Sequence, residues 1–126
     1  MLVDIKVAPA ELLDKISILE IKKSYLKDPE KLRNVDTELS ILNAILADSF
    51  KMNDVLSRLY DELVVVNREN FEFIEAVMDC LKVDEVTTEH FITSVRKAFD
   101  ANAARAAIKR RINEYLGSGI IEEKSW

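Results

Sequence analysis

The chain has 126 residues, 48% hydrophobic and 33% charged, with 18 Lys and Arg against 23 Asp and Glu for a net charge of -5. That length fits one compact domain burying about two thirds of its unfolded surface, and the acidic balance argues against general nucleic-acid binding. Two glycines and two prolines are too few for the turns of an all-β protein, and no segment approaches the ~18 unbroken apolar residues of a membrane span, so an all-α, cytoplasmic protein is expected.

Residues 2 to 7 alternate, with Val3, Ile5 and Val7 opposite Leu2, Asp4 and Lys6, which suits a short extended segment. Ile120 to Trp126 could be its counterpart, pairing with it or with a second subunit. Pro9 is placed to open a first helix, reaching about Lys27. Leu12, Ile16, Leu19 and Leu26 form one of its faces and Ile18, Ile21 and Tyr25 another, so burial on two sides is expected. Asp28 and Pro29 supply an N-cap and a first helical residue for a second helix. There Leu32, Val35, Leu39, Leu42 and Leu46 keep a heptad alternation to about Ala47, the narrow seam of a coiled-coil contact, with the third helix as the expected partner.

Asp48, Ser49 and Asn53 are candidate turn and cap residues before the third helix, about 53 to 81. It carries two adjoining apolar stripes: Leu56, Leu59, Leu63, Val66, Phe73, Val77 and Cys80, and Tyr60, Val64, Phe71, Ile74, Met78 and Leu81. A face this wide needs more than one helical partner. Cys80 reads as a small buried side chain. Asp84 or Thr87 is expected to cap a fourth helix, about 88 to 116, ended by Gly117. Its apolar positions include Phe91, Ile92, Val95, Ala98, Phe99, Ala106, Ile112 and Leu116. The whole is an all-α, four-helix antiparallel bundle or coiled-coil hairpin with short extended tails. Residues 61 to 89 hold nine acids against Arg68 and Lys82, and helix four answers with Arg96, Lys97, Arg105, Lys109, Arg110 and Arg111. Rim ion pairs should therefore help these two helices select each other.

No catalytic or cofactor motif of high specificity is present, and no cofactor is expected. The strongest candidate site is a polar row on helix four, Asn102, Arg105, Lys109 and Asn113, at helical spacings of three and four. Arg and Asn in such a row could hold a phosphate or carboxylate, with Asp14 or Glu20 of helix one opposite. The structural alternative is that Arg105 and Lys109 pair with acids of helix three or helix one, Asp14 among them, while the asparagines set register. Elsewhere on helix one, Glu11 and Lys15 read as an ordinary i,i+4 pair. Glu72-x-x-Glu75 is similar to the magnesium-binding element of all-α nucleotide pyrophosphohydrolases, but the second acidic pair these enzymes carry downstream is replaced by Glu11-x-x-Asp14 upstream. His90 stands without a second histidine at ligand spacing and reads as a helix-start residue.

Three blocks carry a wider resemblance. They are Asp14-Lys15-Ile16-Ser17-Ile18-Leu19-Glu20-Ile21-Lys22 with Asn34-Val35; Val66-Asn67 with Phe71-Glu72; and Asn102-x-x-Arg105-x-x-Ile108-Lys109-Arg110-x-Ile112-Asn113 leading to Glu122-Glu123-Lys124-Ser125. Together they resemble a domain of unknown function found in small helical proteins of bacteria and phages. Ala103 stands where relatives place an acid, and Trp126 where a Tyr is usual. The resemblance implies an all-helical fold and an association with surface-polysaccharide or glycosyltransferase genes, and it supplies no activity.

Two function classes follow. The first is a non-enzymatic helical module that self-associates, as a homodimer, and acts through protein contacts, because the apolar helical surface exceeds what four helices need to cover. The second is a protein or enzyme binding a phosphate, carboxylate or sugar nucleotide through Asn102, Arg105, Lys109 and Asn113. A metal-dependent pyrophosphohydrolase is the remote third.

Overall fold

The computed structural model describes residues 1–118 and residue 123. The described residues contain four helices: α1 (Pro9–Tyr25), α2 (Pro29–Ser49), α3 (Asp54–Lys82) and α4 (Glu89–Tyr115). Local chemistry explains most of the boundaries. Asp28 accepts a 2.9 Å hydrogen bond from the Glu30 amide at the start of α2, and Asn53 accepts one from the Leu56 amide at the start of α3. The cap of α4 is Thr88, whose hydroxyl accepts from the Phe91 amide, and neither Asp84 nor Thr87 fills that role. At the end of α4, the Ser118 and Gly117 amides donate to the Asn113 and Glu114 carbonyls, with Gly117 at φ 66. This is the left-handed close that glycine favours. The end of α3 uses the same hydrogen bonds, from Glu85 to Cys80 and Asp84 to Leu81, but it is Asp84 that takes the left-handed φ of 56.

Helix α1 occupies the centre and buries two faces. Leu12, Ile16 and Leu19 pack against Val35 and Leu39 of α2. The other face brings Ala10 and Leu13 against Leu56, Leu59 and Leu63 of α3 and Ile108 and Ile112 of α4. Ile21 is also buried, whereas Tyr25, expected on an apolar face, is exposed.

One expected pairing is corrected. The leucine seam of α2 packs on α1, and the backbones of α2 and α3 do not approach each other closely, although Leu46 of α2 and Tyr60 of α3 reach the core clusters that α1 shares with each. The short connection at 50–53 permits neighbours, but α1 offers a complementary apolar face to α2 and has a second face left for the α3–α4 hairpin, so it sits between them.

Helix α1, of 17 residues, is about 25 Å long and α3, of 29 residues, about 43 Å. The hairpin therefore outruns α1. The ring of Tyr25 meets Phe71 at 4.6 Å between centroids, near the level where α1 ends. Beyond it, among the described residues, α3 and α4 cover only each other: Phe73, Val77 and Val95 are half-buried, and Ile74, Met78, Leu81, Ile92 and Phe99 are exposed. The apolar positions read at Ile92 and Phe99 are thus not core positions of this chain.

No strand is present among the described residues; Met1–Val7 is extended and exposed. The expected counterpart at 120–126 lies, Glu123 apart, outside the described residues. No helix among the described residues is long and apolar enough to cross a membrane.

Candidate functional site

Two helical arcs that meet at the centre of the molecule each contain polar residues where apolar ones would be expected. On α1 these are Asp14 and Ser17, between Leu13 and Ile21; on α3 it is Asn67, between the two apolar stripes. All three are buried. The Asn67 amide nitrogen donates to Asp14 Oδ1 at 2.9 Å and to Ser17 Oγ at 2.7 Å. The Ser17 hydroxyl in turn donates to the Asp14 carbonyl at 2.7 Å.

Helix α4 completes the cluster. Arg105 grips Asp14 in a fork, Nε to Oδ1 at 2.9 Å and a terminal nitrogen to Oδ2. Lys109, its side chain buried, pairs with Glu11 at 2.7 Å and lies 4.0 Å from Asp14 Oδ2. Asn113 accepts a 2.9 Å hydrogen bond from the Ala10 amide. That bond caps α1, whose own Ala8 supplies no side-chain acceptor. The first turn of one helix is thus closed by the last turn of another, which fixes their relative register.

The structure therefore brings together four of the six residues read from the sequence: Arg105, Lys109, Asn113 and Asp14. The other two lie apart from this hydrogen-bonded cluster. Asn102 is half-buried one turn away, and Glu20 is exposed and accepts a 2.8 Å hydrogen bond from the Tyr60 hydroxyl. Burial, then this hydrogen bond, then the charges of Glu20 and Asp61 push the Tyr60 phenol well above its ordinary range. The expected Glu11–Lys15 pair gives way to cross-helix pairs, Glu11 with Lys109 and Lys15 with Glu38 of α2 at 3.2 Å.

Sequence reasoning missed Asn67, Ser17 and Glu11 as members of the cluster. A signal for the first two was present: each is a polar residue inside an apolar arc, and such residues need partners when buried. The acidic and basic helices also meet less than expected at their rim. Arg111 reaches Glu62 at 3.3 Å and Lys97 stands 5.5 Å over the Phe73 ring, while Arg105 and Lys109 turn toward α1.

Beside the cluster, Arg105 and Asn67 border a partly open cavity of about 140 Å³, walled also by Ile18, Ile21, Phe71 and Ile74, with Glu75 among its lining residues. Glu72 accepts a hydrogen bond from Tyr25 at 3.1 Å. The described residues gather no group of three or more His, Cys, Asp or Glu able to hold a metal ion.

Residues 1–126, the entire chain, match the model of a family of unknown function, DUF6165. The chain belongs to this family. No curated protein and no solved structure matches the chain. The three sequence blocks described above contain Asp14, Ser17, Asn67, Arg105, Lys109 and Asn113, and so include nearly the whole buried polar cluster. What that arrangement does chemically is to neutralise and lock: one buried carboxylate is met by a forked guanidinium and an amide, and a buried ammonium by a second carboxylate.

Proposed function

We propose that this protein is a non-enzymatic helical module that self-associates as a homodimer and acts through protein contacts. The observation that carries this reading is the apolar face of the hairpin beyond the end of α1, where Phe99 is 64% exposed and Ile74, Met78 and Leu81 are each nearly half exposed. Contiguous apolar surface of this kind mostly marks an interface. The engagement of Arg105 by Asp14 and of Lys109 by Glu11 supports the same reading, since a row occupied by internal ion pairs serves the scaffold. Phe99→Glu tests it by sedimentation equilibrium with circular dichroism alongside. The dimer dissociation constant is expected to rise at least about tenfold, about 1.4 kcal/mol, with helicity unchanged; an unaltered constant would contradict the reading.

A second reading is a phosphate, carboxylate or sugar-nucleotide site using Arg105 with Asn102, Lys109 and Asn113; the cavity beside Arg105 supports it for that residue alone, since the other three do not line it. It comes second because an anion would have to compete with Asp14 for the guanidinium. Calorimetric titration with phosphate and with a sugar nucleotide separates the two: heat that Arg105→Lys abolishes supports the site, and no heat at millimolar ligand removes it.

A further inference from the structure

The exposed apolar face continues the rows that seat α1. On α3, Asn67, which contacts α1, is followed at helical spacings by Phe71, Ile74, Met78 and Leu81; on α4, Asn113 and Lys109, which also contact α1, are followed toward the hairpin tip by Ala106, Asn102, Phe99, Val95 and Ile92. Successive members of each row lie one above another on one side of their helix. The surface is therefore a helix-binding groove whose near half holds α1 and whose far half holds none of the described residues.

Resting on the self-association reading above, we propose that a second copy of this chain fills the far half. The tip of its own α3–α4 hairpin lies antiparallel on this one, about a two-fold axis beside Met78, and the two tips form an intermolecular four-helix bundle. Symmetry and sterics select this seating. A two-fold axis parallel to the helices would drive the α1 helices of both copies into each other, because α1 lies on the same side of the hairpin as the groove. An axis perpendicular to the helices leaves both in place, with each tip stopping where the other copy's α1 ends, near Phe71. The uncovered stretch of α3, from Phe73 to Lys82, is centred between Val77 and Met78.

Charges at the edges of the face agree with that axis. Glu75 and Lys82 are both exposed on the outer flank of the Met78 row, and a two-fold between Met78 and Asp79 brings Glu75 of one copy level with Lys82 of the other, twice per dimer. The contacts Glu62 to Arg111 and Phe73 to Lys97 put Met78 level with about Thr93 of α4. The same axis then pairs exposed Arg96 with Glu89 of the second copy, and it sets Phe99 over the Val86 turn, apolar against apolar. On both helices the charged pairs nearest the axis are complementary in the antiparallel seating, which favours one register over its slips.

Sedimentation equilibrium on the wild type, Glu75→Lys, Lys82→Glu and the double reversal tests this, with circular dichroism as the check on folding. Each single reversal sets like charges opposite each other at two places and is expected to weaken the dimer about tenfold, while the double reversal restores it. Met78→Cys in a Cys80→Ala background is expected to cross-link to itself under mild oxidation, and Val65→Cys, on the opposite side of α3, is not. A wild type that stays monomeric at all concentrations, as it would if a lipid surface or an unrelated protein were the occupant, ends both the self-association reading and this proposal. A dimer indifferent to the single and double reversals, with no Met78→Cys cross-link, overturns the antiparallel seating and leaves self-association standing.

Discussion

The Asp14 carboxylate is the point on which the interior depends, because it is buried and faces a guanidinium, an amide and an ammonium together. Removing one partner of such a group strands the others. Asp14→Ala is expected to cost about 3–5 kcal/mol, whereas Asp14→Leu combined with Arg105→Leu should cost clearly less than the two single changes added together. Urea unfolding of the four proteins in the cycle measures this, and strict additivity would deny the coupling. Tyr60 makes a pH-dependent contribution of defined sign. Its folded proton is held above the ordinary tyrosine value of 10.0, so the unfolded chain loses its proton first and the associated stability, intact below about pH 10, drains away as pH rises further. The stability difference between wild type and Tyr60→Phe should therefore shrink from pH 9 to pH 11.5, and a constant difference would rule out the linkage. At this scale the sequence made the Asp14–Arg105 meeting visible as one of two alternatives, through charge and helical spacing. It left Asn67 and Ser17 unmarked, because a hydrogen bond across three helices depends on which faces meet, and spacing within one helix carries no such information.

Each helix is long and periodic, and all four were legible with ends within two residues. Capping explains that precision: Asp28-Pro29, Asn53 and Gly117 are start and stop signals with local mechanisms. The tip of the hairpin was less legible, since Asp84 serves as the left-handed stop and glycine is the usual bearer of that conformation. A non-glycine residue there carries a steric cost of about 1–2 kcal/mol. Asp84→Gly is expected to raise stability by about 1 kcal/mol, read as a higher urea midpoint at unchanged slope, and a loss of stability would mean that the Asp84 side chain supports the turn. The partner of α2 was misread for a physical reason. Its heptad seam specifies that one helix lies against it, and any helix with an apolar stripe qualifies; α1 is chosen over α3 because its two apolar faces point to different sides, one to α2 and one to the hairpin, whereas the stripes of α3 adjoin.

The whole molecule is a short helix and its outer companion clamped by a buried polar lock to the base of a longer hairpin. The lock serves stability and register, and the free end of the hairpin carries the surface that is left over. That surplus was readable in advance from the breadth of the α3 face, but its location was not. It depends on α1 stopping near Phe71, a consequence of three-dimensional register that Asn113 sets by capping the Ala10 amide. Sheet pairing of the tails, by contrast, finds no support in the described residues, where Met1–Val7 is extended and exposed. Light scattering of the wild-type protein at tens of micromolar reports whether two copies associate. Self-association through the hairpin tip predicts a mass twice that of the 14.4 kDa chain, falling toward the single-chain value on dilution, and a mass of one chain at every concentration would contradict it.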